Sequence, residues 1–189
     1  VPVSIASIWG LCRSLVIYYG QPWRAARMRR FYGQFITSGA LAFDVGAHVG
    51  NRIGAWRVLG ARVVAIEPQP SMVRVLERLY GRDDQVTVKP IGLSDTPGQL
   101  TLQINTRNPT LSTFSDDWAE AFSAHPDIPA APFDDTTQVQ ISTLDALIET
   151  HGLPAFCKID VEGFEDKVLA GLSVPIQAVS FEAFPLEVE

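Results

Sequence analysis

The sequence lacks the residues that a disulfide-rich or membrane-spanning protein needs. Its 189 residues include two cysteines, Cys12 and Cys157, which are too few for a disulfide framework. The apolar stretch at the start of the chain is broken by Pro2, Gly10 and Arg13, and no small-residue cleavage site follows a basic start. This stretch therefore predicts neither a membrane span nor a signal peptide. We expect a protein of the reducing cytoplasm with no integral membrane segment.

Acidic residues are missing from the first part of the chain. Residues 1–43 carry five arginines and no acid, although the whole chain has a formal net charge of −6 and a pI of about 5.0. The overall acidity argues against nucleic acid as a partner. An N-terminal helical segment, residues 1–38, contains these arginines: an amphipathic helix is predicted within residues 1–20, and a second helix with the arginine cluster is predicted at Trp23–Phe35. We expect the helices to cap the sheet or to form a homodimer, and a membrane-surface or anionic-substrate patch is the alternative.

The rest of the chain, residues 39–189, has the apolar runs of a single α/β domain. Hydrophobic residues make up 47% of the chain and the mean hydropathy is +0.12, as expected for a globular protein. Short apolar runs alternate with helical patterns, which predicts a mostly parallel central sheet flanked by helices. The predicted strands of this sheet cover residues 41–45, 62–66, 85–91, 155–160 and 178–182.

A different pattern follows the third predicted strand and indicates an insertion at about residues 96–137. Within it, residues 99–104 alternate polar and apolar side chains, which is typical of a half-exposed antiparallel strand. Residues 105–137 form the long loop of this insertion. Loops of this length in a compact domain are usually functional, so we expect residues 105–137 to form a lid over a substrate pocket. After the lid, a short strand is predicted at Val139–Ile141 and a helix at Thr143–Thr150, with Ser142 as its cap.

The chain is organised around the sequence Asp44-Val-Gly46-Ala-His-Val-Gly50-Asn51. A buried strand that leads into a glycine loop and a helix start offers backbone N–H groups to a ligand. We expect Gly46 to allow the turn and Gly50 to let the helix approach the ligand. Asp44 would repel a pyrophosphate but suits a positively charged amino group, which favours S-adenosylmethionine (SAM) over a nicotinamide dinucleotide. An ordinary turn without a ligand is the alternative.

The second predicted strand also ends in an acid. Glu67 lies 23 residues after Asp44, close to the offset at which an acid meets ribose hydroxyls in folds of this type. Its two carboxylate oxygens could accept hydrogen bonds from the 2′- and 3′-hydroxyls. The alternative is a surface acid at the end of a strand.

A second cluster of charges occupies the fourth predicted strand, in the sequence Lys158-Ile-Asp160-Val-Glu162-Gly163. Alternation along a strand would place Lys158, Asp160 and Glu162 on one side. Burying three charges for packing alone is unfavourable, so we place them at the carboxyl edge of the sheet, where ligands bind in open α/β folds. A salt-bridged structural cluster, in which Lys158 neutralises Asp160, is the alternative.

Five motifs of this sequence occur in the same order in one known family. They are Asp44-Val-Gly-Ala-His-Val-Gly50, Glu67-Pro68, Ile91-Gly-Leu-Ser-Asp95, Thr143-Leu-Asp145 and Lys158-Ile-Asp-Val-Glu-Gly163. Over about residues 40–184 the chain resembles the FkbM family of SAM-dependent methyltransferases. The resemblance implies the Rossmann-like class I methyltransferase fold, and O-methylation of a hydroxyl on a small molecule or sugar. That fold continues beyond its fifth strand, whereas this sequence stops at Glu189, so we expect the C-terminal strands to be missing.

The resemblance also implies which residues contact the cofactor. The glycine loop would hold the methionine side of SAM, Glu67 would hold the ribose, and residues 92–94 would lie near adenine. The candidate cofactor-binding residues are Asp44, Gly46, Ala47, His48, Gly50, Asn51, Glu67, Pro68, Gly92, Leu93 and Ser94.

The candidate catalytic residues are Asp160, Glu162, Lys158 and His48. The resemblance places Asp160 and Glu162 at the methyl-transfer site. Asp160 could accept the proton of the acceptor hydroxyl, or could bind a divalent cation such as Mg²⁺ that acidifies this hydroxyl. His48 is a second candidate base, or a loop residue that contributes only its backbone. Lys158, Asp160 and Glu162 partly resemble the Lys-Asp-Lys-Glu tetrad of ribose methyltransferases, but the second lysine is not identifiable.

Two other classes of function remain open at this point. The chain could be a non-catalytic binding module that keeps the methyltransferase fold and acts through its basic N-terminal helices. A nicotinamide-dependent oxidoreductase is the weaker alternative, because the third glycine of the dinucleotide motif is absent and Asp44 stands at the end of the first strand.

Overall fold

The computed structural model describes residues 5–19, 22–124 and 133–183. The strands are β1 (Leu41–Val45), β2 (Arg62–Ile66), β3 (Val86–Lys89), β4 (Gly92–Leu93), β5 (Gly98–Ile104), β6 (Asp135–Ser142), β7 (Phe156–Ile159) and β8 (Ala178–Phe181). The helices are α1 (Ile5–Tyr19), α2 (Pro22–Tyr32), α3 (Asn51–Val58), α4 (Pro70–Tyr80), α5 (Asp116–Ala124), α6 (Leu144–His151) and α7 (Glu165–Ala170), and a 3-10 turn covers Pro109–Leu111. The prediction that the C-terminal strands are missing concerns the end of the chain, which lies outside the described residues.

Five strands form a parallel sheet in the order β3-β2-β1-β7-β8. β1 is central and completely buried because its five residues are covered on both faces. Ala42 belongs to a cluster with Trp56 and Phe156 on one face, and Phe43 belongs to a cluster with Ile159 on the other. The strand order and the two helical layers confirm the predicted α/β, Rossmann-like fold.

A second sheet holds three strands in the order β4-β6-β5. β5 pairs with β6 in antiparallel register, as its alternating sequence predicted. The predicted third strand, residues 85–91, ends at Lys89, because Pro90 has no N–H to donate to a further ladder hydrogen bond. β4 lies beyond it, in the second sheet. β6 starts at Asp135 rather than at Val139, since Thr137 and its polar neighbours pair with β5 despite their low hydrophobicity.

The helix after β6 has a different cap from the one predicted. Ser142 is the last residue of β6, and its carbonyl accepts the N–H of Ser94. The cap of α6 is instead Thr143, whose hydroxyl accepts the N–H of Ala146 at 3.2 Å. The strand therefore runs directly into the helix cap.

The N-terminal helices pack on the domain through their inner faces. Tyr32 of α2 contacts Trp56 and Phe156 edge to face, with ring centroids 5.3 and 5.5 Å away. α1 lies against the insertion so closely that a Cβ atom on Gly10 would come within 2.6 Å of the Thr106 carbonyl oxygen. Within the described ranges, no helix combines the length and the apolar character that crossing a membrane would need.

Candidate functional site

A cavity of about 740 Å³, partly open to solvent, lies at the carboxyl edge of the parallel sheet. The glycine loop after β1, the end of β2 and the end of β7 form three of its walls. Residues 91–93 and the insertion, through Pro109, Thr110, Ser112 and Phe114, complete the lining. The structure therefore brings the insertion over the edge where ligands bind in open α/β folds.

Four adjacent strands each carry an acid at their carboxyl end. These acids are Asp44 on β1, Glu67 after β2, Asp160 after β7 and Glu182 after β8. Parallel strands end at the same edge, so the four carboxyl groups are gathered on one side of the sheet. Such an edge favours a ligand that carries positive charge or hydrogen-bond donors.

Glu67 connects the first two strands of the site. Its Oε2 accepts the backbone N–H of His48 at 2.7 Å, and its Oε1 accepts the N–H of Gln69 at 2.8 Å. The side chain is almost completely buried, and this burial raises the pKa of Glu67 to about 7. Each oxygen keeps a second lone pair, so Glu67 can accept from a ligand while it holds the loop.

Lys158 is hydrogen-bonded to the start of the glycine loop. Its Nζ donates to the Gly46 carbonyl at 2.8 Å and to the Val45 carbonyl at 3.3 Å. The same atom lies 3.4 Å from Asp44 Oδ1 and 3.2 Å from Asp160 Oδ2. Lys158 and Asp44 are both buried, and burial raises the pKa of the Asp44 carboxyl against the opposing charge of Lys158. Lys158 is thus placed to position the loop.

Asp160 is flanked by two cations. Its Oδ2 pairs with Arg52 at 3.4 Å as well as with Lys158. Burial works to raise the pKa of Asp160, but the charges of Lys158 and Arg52 outweigh this and hold the pKa below its ordinary value. Asp160 is therefore ionised at neutral pH, in contact with the cavity.

The pKa of Glu162 is shifted in the opposite direction to that of Asp160. Burial and the neighbouring carboxylates of Asp160, Glu182 and Glu165 raise the pKa of Glu162 to about 8. Its backbone has left the strand, with a φ of 55°, and its carbonyl accepts the hydroxyl of Thr113 at 2.7 Å. Two carboxyl groups of one site thus have pKa values moved in opposite directions.

Three of these acids lie close enough to share one cation. Ligand oxygens of Asp160, Glu162 and Glu182 are all within 4.8 Å of one another. Glu182 is exposed, and acidic groups at a protein surface commonly come together without a metal. The spacing alone does not support Mg²⁺ at this position.

His48 lines the cavity with a strained backbone, at a φ of 50°. Its Nε2 lies 3.5 Å from the hydroxyl of Ser14 on α1. Burial lowers the pKa of His48 to about 4, so the imidazole is neutral at pH 7. Its clearest contribution is the backbone hydrogen bond to Glu67.

The predicted site residues fall into two groups. Those that line the cavity are Gly46, His48, Asn51, Glu67, Pro68, Gly92, Leu93, Asp160 and Glu162. Those that lie behind its wall are Asp44, Ala47, Gly50, Lys158 and Ser94. Gly50 faces α4, where a Cβ atom would lie 2.7 Å from Leu76 and Tyr80, so close packing on α4 requires glycine at this position. The hydroxyl of Ser94 is directed to Asp95 instead of the cavity.

Several cavity residues were missed by sequence reasoning. Arg52 follows the glycine loop on α3, and Gln69 begins the turn before α4. Gln69 Nε2 donates to the Pro109 carbonyl at 2.8 Å, while its buried Oε1 accepts no hydrogen bond from the described residues. Glu182 does not line the cavity, but it lies close to Asp160 and Glu162 and repeats the pattern of an acid at a strand end. Arg52 directly follows the predicted loop residue Asn51, whereas nothing in the sequence marks Pro109 as a neighbour of the loop.

The fold and the acid-lined cavity define a Rossmann-like α/β protein with a ligand site at the carboxyl edge of its sheet. A family model described as the methyltransferase FkbM domain matches residues 44–188, and the chain belongs to this methyltransferase family. The match confirms the resemblance found in the sequence. No curated protein matches the chain.

Solved structures of methyltransferases show a limited similarity. A proposed rRNA methylase from Clostridium thermocellum is 18% identical over 35% of this chain and 39% of its own, with a TM-score of 0.32. A proposed RNA methyltransferase from Pyrococcus horikoshii is 24% identical over 35% of each chain, with a TM-score of 0.31. The glycopeptide N-methyltransferase MtfA, in complex with sinefungin, is 13% identical over 67% of this chain and 73% of its own, with a TM-score of 0.30. The present chain thus spans well under half of the first two proteins.

Proposed function

We propose that this protein transfers a methyl group from SAM to a hydroxyl on a small molecule or sugar. The observation that carries the proposal is the row of acids at the ends of β1, β2, β7 and β8, beside a cavity that Glu67 and Asp160 line. SAM is a cation with an ammonium group, a sulfonium group and two ribose hydroxyls, which matches an edge rich in acceptors. Membership of the FkbM methyltransferase family supports the same reaction.

The unsatisfied atoms of the site fit this cofactor. Oδ2 of Asp44 and Oε1 of Gln69 are buried and accept no hydrogen bond from the described residues, and Oδ1 of Asp44 has only the ion pair with Lys158 at 3.4 Å. Buried acceptors of this kind are costly unless a ligand supplies donors. Asp44 lies under the glycine loop, where a cationic amino group would be favoured, and Gln69 lies beside Glu67, where the nucleoside would bind.

Arg52 is the residue that we assign to the carboxylate of the methionine moiety. It lines the cavity one residue into α3, next to Asn51, and it carries five N–H donors. The present pairing with Asp160 is long, at 3.4 Å, which leaves donors available to a second carboxylate. Glu67 would accept from the ribose hydroxyls at the opposite end.

When bound, SAM supplies an electrophilic methyl group on its sulfonium. The protein must hold the acceptor oxygen in line with that methyl group and accept the hydroxyl proton. Asp160 is ionised at the cavity wall and is fixed by Lys158 and Arg52, so it can orient the hydroxyl and take the proton. Glu162 is a second candidate for the base, because a pKa of about 8 is closer to the operating pH.

Methyl transfer from labelled SAM to a panel of hydroxyl and amine acceptors tests this proposal. Asp160→Asn keeps the shape of the side chain, so we expect binding of S-adenosylhomocysteine (SAH) to persist and kcat to fall roughly 10²-fold or more. Glu162→Gln is the matched variant that identifies the base, since the larger loss of kcat marks the proton acceptor. Transfer to amines alone would contradict O-methylation, and SAH binding without any transfer would favour the non-catalytic module.

A further inference from the structure

The outward faces of α1 and α2 expose large aromatic side chains. Trp9 on α1 is 69% exposed, and on α2 the values are 67% for Trp23 and 50% for Phe31. The chain has four tryptophans, and the other two, Trp56 and Trp118, are buried in the domain. A large exposed aromatic surface on a folded helix is typical of a contact with a partner.

Arginines surround the aromatic side chains of α2. Arg24, Arg27 and Arg30 are exposed, and spacings of three and four residues place Trp23, Arg27 and Arg30 along one side of the helix. No acid within residues 5–19, 22–124 and 133–183 forms a salt bridge with these three arginines. They differ in this from Arg52 and Arg57 of α3, which are both paired with an acid. Arg24 Nη1 donates to the Ile17 carbonyl of α1 at 3.4 Å. The charges of Arg27 and Arg30 are directed to solvent.

The same two helices are fixed to the domain by their inner faces. Tyr32 of α2 packs on the core, and Ser14 of α1 is buried beside His48. Gly10 of α1 lies against the carbonyl of Thr106. Each helix is therefore docked along one side, and the opposite side with its tryptophan remains uncovered.

Two partners could cover this surface, a second copy of the chain or a lipid membrane, and the positive charge of the surface favours the membrane. A two-fold symmetric dimer would place the same face of each copy against the other, and would bring two sets of unpaired arginines together. An anionic membrane presents continuous negative charge to arginines, and the headgroup region is where tryptophan rings are favoured. The acidic remainder of the chain would be turned away from such a membrane by its own charge.

We infer that the basic aromatic surface, formed by Trp9 of α1 and by Trp23, Arg24, Arg27, Arg30 and Phe31 of α2, binds anionic lipid headgroups at a membrane surface. The aromatic rings would enter the headgroup region while the arginines pair with lipid phosphates. The protein would lie on the membrane through helices that it already has in folded form.

Vesicle cosedimentation of the whole chain tests this inference. We expect binding to vesicles of phosphatidylcholine with phosphatidylglycerol, no binding to phosphatidylcholine alone, and release by raised salt. The double variant R27Q/R30Q should bind the anionic vesicles roughly tenfold or more weakly. R74Q/R78Q is the matched control, because it removes two exposed arginines from α4, and its binding should equal that of the wild type.

Tryptophan fluorescence gives a second readout that depends on insertion. Because Trp9 and Trp23 are the exposed pair, their emission should shift to shorter wavelength with anionic vesicles, and W23F should reduce the shift. An equal loss of binding in both double variants would overturn the inference, since it would indicate unspecific charge attraction. So would absence of vesicle binding together with a dimer in analytical ultracentrifugation that R27Q/R30Q dissociates. Unchanged melting temperatures of both double variants show that they are folded.

Discussion

Gly46 and Asp160 are in contact through their backbones, although 114 residues separate them in the sequence. A Cβ atom added to Gly46 would lie 1.9 Å from the Asp160 carbonyl oxygen. This contact brings the glycine loop of β1 and the acidic end of β7 to one place, where Lys158 also donates to the Gly46 carbonyl. The close approach explains why the loop needs glycine at this position.

We expect Gly46→Ala to destabilise the protein strongly, and Gly39→Ala is its matched control. Both glycines have a left-handed backbone, with φ of 75° for Gly46 and 81° for Gly39, so both variants carry the same backbone cost of about 1–2 kcal/mol. Only Gly46 meets a clash, because nothing lies within 4 Å of a Cβ atom on Gly39. Overpacking should cost about 1–3 kcal/mol more in Gly46→Ala. Urea unfolding measures the difference, and equal losses in both variants would refute the contact.

Glu67 should make SAH binding dependent on pH. Its pKa of about 7 means that the ligand-free protein holds a proton there below neutral pH, whereas ribose hydroxyls donate to the ionised form. Affinity should therefore rise from pH 6 to pH 8. Glu67→Gln should weaken the binding of SAH by about 1–3 kcal/mol. This variant should also lose the pH dependence of SAH binding that Glu67 causes. The exposed Glu77→Gln on α4 is the control, and calorimetry that finds the wild-type pH slope retained in Glu67→Gln would count against the ribose contact.

Arg52→Gln should lower the affinity only for ligands that carry the methionine carboxylate. We expect SAH to bind at least tenfold more weakly, because a charge-assisted hydrogen bond is lost. 5′-Methylthioadenosine has no amino-acid portion, so its affinity should not change. Arg57→Gln removes an arginine that pairs with Asp83 outside the cavity and serves as the control. If both ligands weaken equally in Arg52→Gln, the arginine only supports the shape of the site.

Glu162 should make the ligand-free fold less stable at higher pH. Its pKa is raised from 4.5 to about 8, so the folded protein keeps a proton that the unfolded chain loses first. The stabilising contribution is present below pH 4.5 and is lost as the pH rises through about 8. The melting temperature should fall between pH 5 and pH 8.5, and Glu162→Gln should fall less over the same range. Identical pH profiles for the two proteins would show that Glu162 titrates as an ordinary surface acid.

The parallel sheet was predictable because its strands are short apolar runs that end in distinctive residues. Asp44, Glu67 and Asp160 each close such a run, and alignment of parallel strands then gathers them at one edge. The limits of β6 were not predictable, because Thr136 and Gln138 are in the strand through pairing with β5 and not through hydrophobicity. Strand pairing between distant segments is not encoded in local propensity.

The cavity was predictable only on the side formed by strand ends. Pro109 reaches it from a distant part of the chain, through the hydrogen bond that its carbonyl accepts from Gln69. Alternation along β7 also failed beyond Asp160, because the positive φ of Glu162 turns the backbone. Glu162 still lines the cavity, because the loop after β7 directs it there, although it is no longer part of the strand.

Isothermal titration calorimetry of the whole chain with SAH and with NAD⁺ tests the central claim most directly. Both ligands carry a ribose that Glu67 could bind, but Asp44 at the end of β1 should favour the ammonium group of SAH and repel a pyrophosphate. We predict that SAH binds with one-to-one stoichiometry, that binding weakens in Glu67→Gln and Arg52→Gln, and that NAD⁺ gives no binding heat. Binding of NAD⁺ with no binding of SAH would contradict the assignment of this cavity to a SAM-dependent methyltransferase.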